Sequence, residues 1–201
     1  MWPTALIACG LGAVLFWQGL ELKSKSAPQG IVSLELAASA KAAEAIIDGW
    51  RADHPGISLE NKPETMVQQV PKGKDSLALN LTMFDFLFLL AYPAALSMSC
   101  VWLARKTPWP DVGLLLGWVV WLAALLDAVE NTLLIRLFNA NFEDSAVLTT
   151  RLCALGKFLI FLAALGFTCH GLWRAGRKIL SGFLGLVWAG TLYSVAAALV
   201  M

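Results

Sequence analysis

The stretch that decides the fold is Trp118-Val-Val-Trp-Leu-Ala-Ala-Leu-Leu-Asp-Ala-Val-Glu-Asn-Thr-Leu-Leu-Ile-Arg136, an apolar run with polar residues inside it. Its length and composition predict a transmembrane helix. A charged side chain deep in such a helix costs about 2.5–3.5 kcal/mol on insertion scales, so it requires a partner or a function. Asp127, Glu130 and Asn131 follow the spacing i, i+3, i+4, which places them on one face of the helix.

The composition of the whole chain agrees with a membrane protein. Of its 201 residues, 58% are hydrophobic and 14% are charged, whereas soluble domains are about 45–50% apolar and about 25% charged. The sequence therefore predicts an all-α, polytopic membrane helix bundle. The net charge of +1 gives no reason to expect a nucleic-acid partner. The four cysteines lie in apolar runs without metal-ligand spacing, and no metal or cofactor is predicted.

Five apolar segments predict about five transmembrane helices. These segments are Pro3–Leu20, Leu81–Ala104, Val112–Phe138, Val147–Trp173 and Ile179–Val200. Residues 1–20 then form an N-terminal anchor, residues 21–80 an extracytoplasmic loop, and residues 81–201 a four-helix transmembrane bundle. The first segment has no basic residue before its apolar core and no small-x-small cleavage site after it, which favours an uncleaved anchor over a signal peptide.

The long first loop contains one predicted amphipathic helix, Ala37–Ala52. Its apolar edge, formed by Ile46, Ile47 and Trp50, predicts that it lies on the membrane surface or caps the bundle. Pro55-Gly56 ends this helix, and the sequence from Pro71 to Asp75 predicts a turn into the second span.

Basic residues in the short loops predict the orientation. They are Arg105 and Lys106 after the second span, and Arg174, Arg177 and Lys178 after the fourth. Because such residues favour the cytoplasmic side, both loops are expected there, and the acidic loop after the third span is expected outside. The N-terminus is then cytoplasmic, the long first loop and the C-terminus are extracytoplasmic, and the expected location is a bacterial inner membrane.

Three spans bring charged residues into the outer half of the membrane in this topology, and Asp127 and Lys157 share a depth near its midplane. Counted from the outer face at about 1.5 Å per residue, Asp85 lies about four residues deep, while Asp127 and Lys157 lie about ten or eleven residues deep. Tyr92 follows Asp85 by seven residues on one helix face, and Tyr92-Pro93 predicts a kink. The predicted binding residues are therefore Asp85, Tyr92, Asp127, Glu130, Asn131 and Lys157.

Three interpretations of these charges remain open at this stage. They are a structural ion network, with Arg136 or Arg151 near its rim, that fixes helix register; a cavity open to the outer side that binds a lipid head group, a small cation or a substrate; and a proton or ion path. The acids outnumber Lys157, so at least one must be protonated or find another partner.

Two sequence elements resemble a group of small bacterial multipass membrane proteins. They are Asp85-Phe-Leu-Phe88 with Tyr92, and Leu126-Asp-Ala-Val-Glu-Asn131, followed by Lys157. That group has LDFLF-x-x-x-Y and LDAxEN elements with a downstream lysine, and here Phe84 replaces the leucine expected before Asp85. The resemblance implies that these polar residues belong together, and it implies no activity.

The expected function is that of a non-catalytic binding or accessory protein. Its outer-half polar pocket would hold a membrane lipid, or a helix of a partner in a larger membrane complex. One alternative is a small membrane enzyme acting on a lipid-like substrate, with Asp127 or Glu130 as acid or base and Lys157 as anion anchor. The other alternative is a carrier or proton-coupled element. No hydrolase, protease or nucleotide-binding motif is recognisable.

Overall fold

The computed structural model describes residues 2–52, 74–139 and 142–200, and within these residues the chain is helical without any strand. The helices are α1 (Trp2–Gly19), α2 (Ile31–Glu35), α3 (Ala40–Ala52), α4 (Lys74–Ala104), α5 (Pro110–Phe138), α6 (Asp144–Arg174) and α7 (Lys178–Leu199). A 3-10 turn, Leu20–Leu22, follows α1. The predicted all-α class is confirmed.

Four of these helices, α4 to α7, are long and apolar enough to cross a membrane. They contain 31, 29, 31 and 22 residues, and a transmembrane helix needs about 20. Their number and composition indicate a membrane location. The helix α1 has 18 residues and packs along α4; its role as a fifth span stays a prediction.

Some predicted boundaries are wrong. The helix α4 begins at Lys74, so Lys74 and Asp75 are helical and do not form a turn. The residues that follow are mostly good helix formers, and Asp75 in the first turn interacts favourably with the positive end of the helix dipole. The helix α3 begins at Ala40, three residues later than predicted. The predicted helix end at Pro55-Gly56 lies outside the described residues.

The helices α4 and α5 approach each other closely because glycines lie between them. A Cβ atom on Gly113 would lie 2.8 Å from the Cβ of Ala104 and 2.7 Å from the ring of Phe167. Such small residues allow membrane helices to pack backbone against backbone. The helix α4 itself continues through Pro93 without ending, and the kink expected there stays a prediction.

The segment Ile31–Ala52, here called the cap, covers one end of the bundle. Within it, Ile47 and Trp50 are fully buried, and the indole Nε1 of Trp50 donates a 2.8 Å hydrogen bond to the carbonyl oxygen of Leu22. The Trp50 ring stacks on Phe138 of α5 at a centroid distance of 6.5 Å. The apolar edge predicted for α3 is therefore real, and it packs against the bundle.

The short helix α2 is a feature that sequence periodicity missed. It has only five residues and lies between the 3-10 turn and α3. Gly30, which precedes it, has φ of 62°, a left-handed conformation that glycine adopts without steric cost. This turn directs α2 against α6 and α7, and it brings Glu35 to the centre of the bundle.

Candidate intramembrane binding site

An ion cluster centred on Lys157 joins two of the long helices. The ammonium nitrogen of Lys157, on α6, lies 2.8 Å from Oδ1 of Asp127 and 2.9 Å from Oε1 of Glu130, both on α5. Asp127 is 6% exposed and Glu130 is fully buried. The i, i+3 spacing on α5 presents both carboxylates on one side, so a single lysine contacts them together. The structure thus places these three predicted residues in direct contact.

A third carboxylate reaches the same lysine from the cap. Oε1 of Glu35, the last residue of α2, lies 3.6 Å from the ammonium nitrogen of Lys157, and Glu35 is 7% exposed. Glu35 was not predicted as a site residue because α2 is too short to show a helical period. The available signal was an acidic residue flanked by Leu34 and Leu36, both of which are buried.

A separate hydrogen bond joins α4 to α5. The amide Nδ2 of Asn131 donates to Oδ2 of Asp85 at 2.7 Å. Asp85 is only partly buried, and it accepts this hydrogen bond from the Asn131 amide. Asn131 therefore connects Asp85 to the helix face that carries Asp127 and Glu130.

These polar groups border a cavity of about 280 Å³. Five of the six predicted residues line it, namely Asp85, Tyr92, Asp127, Asn131 and Lys157, together with Glu35. The sixth, Glu130, is not among the lining residues. The remaining wall is mainly apolar and aromatic, with Leu15, Ile31, Val32, Leu81, Phe88, Leu134, Phe158 and Phe161.

Aromatic rings form one side of this cavity. The Tyr92 ring lies 5.0 Å from the Phe88 ring and 6.2 Å from the Phe161 ring, measured between centroids. Lys157 itself lies over the Phe158 ring, with its nitrogen 5.1 Å from the centroid. The cavity therefore presents charged groups on one side and aromatic faces on another.

The cluster contains more acid than base. Within the described residues, Glu35, Asp127 and Glu130 share the ammonium group of Lys157, and neither Arg136 nor Arg151 forms an ion pair with them. The second carboxylate oxygens of Glu35 and Glu130 are buried without a donor from any other described residue, and the two carboxyl groups lie within hydrogen-bonding reach of each other. Because an unpaired buried charge costs several kcal/mol, the cluster must take up protons or a further cation.

The class of molecule defined by this fold and site is an all-helical bundle in which four long apolar helices could cross a membrane. Its polar cavity is lined by residues of these four helices and of α1 and α2. Comparisons with protein-family profiles, curated proteins and solved structures find no match. The interpretation of the site accordingly rests on its own geometry.

Removing the lysine tests whether it neutralises the buried acids. We expect Lys157→Met to lower the free energy of unfolding by about 3–5 kcal/mol, because it leaves buried carboxylates without their partner. The measurement is equilibrium unfolding in mixed micelles, with the exposed Lys106 changed to Met as a control. Adding Asp127→Asn and Glu130→Gln to Lys157→Met should restore much of the lost free energy of unfolding. An unchanged free energy of unfolding in Lys157→Met alone would contradict the ion-cluster interpretation.

The cap residue Glu35 predicts a pH dependence. Burial raises the pKa of Glu35 above its ordinary value of 4.5, with the nearby Lys157 opposing the shift. The folded protein then holds this proton more tightly than the unfolded chain, so the stabilisation is complete below pH 4.5 and is lost as the pH rises through the folded pKa.

The variant Glu35→Gln cannot release this proton. The stability of Glu35→Gln minus that of the wild type should therefore increase between about pH 4.5 and pH 8, measured by unfolding in mixed micelles. Glu44→Gln, on the exposed side of α3, should show no such trend. A difference that decreases as the pH rises would mean that Lys157 keeps Glu35 ionised.

Proposed function

We propose that this protein is a non-catalytic integral membrane protein that binds a small amphiphilic ligand in its intramembrane cavity. The observation that carries the proposal is the cavity itself, in which Asp85, Asp127 and Lys157 face an otherwise aromatic and aliphatic wall. Ligand sites are typically apolar pockets with a few polar groups that fix the orientation of the ligand. A molecule with one polar end and one apolar part fits such a surface.

The volume of the cavity supports a small ligand over a helix of a partner protein. At about 280 Å³, it lies just below the range of about 300–1,000 Å³ typical of small-molecule sites. An α-helix with its side chains is about 10–12 Å wide and does not enter a space of this size. The cavity therefore favours the lipid-binding form of the predicted accessory role.

The geometry of Lys157 weighs against the enzyme alternative. A lysine ammonium group has three N–H donors, and oxygens of Asp127, Glu130 and Glu35 lie within 3.6 Å of the nitrogen. An anionic substrate would have to displace a carboxylate in order to reach Lys157. Binding without chemistry needs no such exchange, so it is the simpler function for this arrangement.

The proposed location is a bacterial inner membrane, with the cap on the outer side. It is supported by the basic loops after α4 and α6 and by the acidic start of α6.

Cysteine labelling tests this orientation. A membrane-impermeant maleimide should label Glu143→Cys in intact cells, and it should label Lys106→Cys only after the membrane is permeabilised. Both positions are exposed, and the cysteines at 100, 153 and 169 are buried or partly buried, so the wild type gives the background. The reverse labelling pattern would invert the proposed topology.

Filling the cavity tests the binding function. Thr191 lines the cavity from α7, and its hydroxyl donates to the carbonyl oxygen of Val187. We expect Thr191→Phe to reduce the amount of co-purified lipid or small amphiphile at least fivefold, because the larger ring occupies the space of the ligand. Native mass spectrometry after extraction in a mild detergent measures this amount.

Thr132→Phe is the matched control, because Thr132 is exposed and makes the same type of hydrogen bond, to the carbonyl oxygen of Ala128. It should retain the ligand at the level of the wild type. A wild-type protein that carries no ligand, or a ligand retained equally by both variants, would contradict the proposal. A larger protein that co-purifies with both variants would instead favour an accessory subunit without a ligand site.

A further inference from the structure

The charge of the cavity wall indicates the class of ligand. Glu35, Asp85 and Asp127 contribute carboxyl groups to the wall, and Lys157 contributes the basic group. That lysine already contacts Glu35, Asp127 and the buried Glu130. The unfilled capacity of the wall is therefore for a positive charge and not for a negative one.

One carboxyl group has free capacity towards the cavity. Asp85 lines the cavity, lies outside the ion pairs of Lys157, and accepts a hydrogen bond from Asn131 through Oδ2. Glu35 also lines the cavity, but its Oε2 is fully buried and its carboxyl group lies against that of Glu130, so this oxygen is not open to a ligand. A donor group placed in the cavity would therefore bind the second carboxylate oxygen of Asp85.

The aromatic side of the cavity adds a second attraction for a cation. Phe88 and Tyr92 follow Asp85 on α4 by three and seven residues, so they share its helix face, and Phe161 of α6 packs against Tyr92. A cation within about 6 Å of an aromatic ring centroid is attracted by the negative face of the ring. The attraction is strongest where water is displaced, as in a cavity between helices.

An organic cation fits this wall better than a metal ion does. Among the described residues, no group of three His, Cys, Asp or Glu side chains has the geometry to hold a metal ion. The aromatic and aliphatic side chains around Asp85 instead offer contacts to carbon atoms. In an alkylamine, the ammonium group can contact the carboxylate and the aromatic rings, while the alkyl chain contacts the aliphatic side chains.

We propose that the cavity binds the ammonium group of an amphiphilic amine, with Asp85 as the carboxylate acceptor and Phe88, Tyr92 and Phe161 as the aromatic walls. This inference rests on the proposed binding function and adds the chemical class of the ligand. The apolar part of the amine contacts aliphatic residues such as Leu15, Ile31 and Leu81.

Three probes of equal chain length test the charge preference. Hexylamine, which at pH 7 is a cation with three N–H donors, hexanol and hexyl phosphate are titrated separately into the purified protein in a mild maltoside detergent, and calorimetry gives each dissociation constant. We expect the cationic probe to bind at least tenfold more tightly than hexanol, and hexyl phosphate to bind most weakly. Equal or tighter binding of hexanol or hexyl phosphate would overturn the cation preference while leaving the binding function intact.

Two variants locate the site of the cationic probe. Asp85→Asn retains an oxygen that accepts from Asn131 but removes the charge, and it should weaken binding of the cation at least tenfold with little change for hexanol. Asp111→Asn makes the same charge change at an exposed position at the start of α5 and should have no effect. Phe88→Leu should weaken binding of the cation severalfold without altering the charge.

The outcomes separate the two proposals. Undiminished binding of the cation by both Asp85→Asn and Phe88→Leu would place the probe elsewhere and overturn this inference. If none of the three probes binds the wild-type protein, or if Thr191→Phe leaves the binding of all probes unchanged, the binding function proposed for the cavity fails together with the inference.

Discussion

The structure depends on the ammonium group of Lys157, which lies where two long helices and the cap meet. Asp127 and Glu130 approach it from α5 at 2.8 and 2.9 Å, and Glu35 approaches it from α2 at 3.6 Å. Removing these groups from water is costly, and their mutual attraction offsets that cost only when the contacts are close. A slide of α6 along α5 would separate the charges, so the contacts are compatible with the predicted role of the cluster in fixing the register of the two helices.

The same cluster contains more acid than base. Three acids surround one lysine, and the second carboxylate oxygens of Glu35 and Glu130 are buried without a donor from any other described residue. Well-packed apolar side chains are often as stable as buried ions, so the cluster by itself is weak evidence for stability. A proton shared among the carboxyl groups, or the cation proposed above, would complete its charge balance.

The cap contributes Ile31, Val32 and Glu35 to the cavity wall. Two sets of contacts hold it against the bundle. Trp50 fixes α3 through its ring stacking on Phe138 and its hydrogen bond to Leu22, while Glu35 fixes α2 through the ion cluster. The contacts of Trp50 involve no charged group. The contact of Glu35 depends on the charge of the cluster.

The composition of the sequence alone determined the helical class and the apolar segments that became α4 to α7. The helical period determined that Asp127, Glu130 and Asn131 share one face of α5. Equal depth in the membrane also predicted that Lys157 meets Asp127. Only the tertiary structure decided that Glu35 joins the cluster, that Asp85 pairs with Asn131, and that Glu130 lies outside the cavity wall. These depend on contacts between segments distant in sequence, and α2 is too short for any period to reveal where it packs.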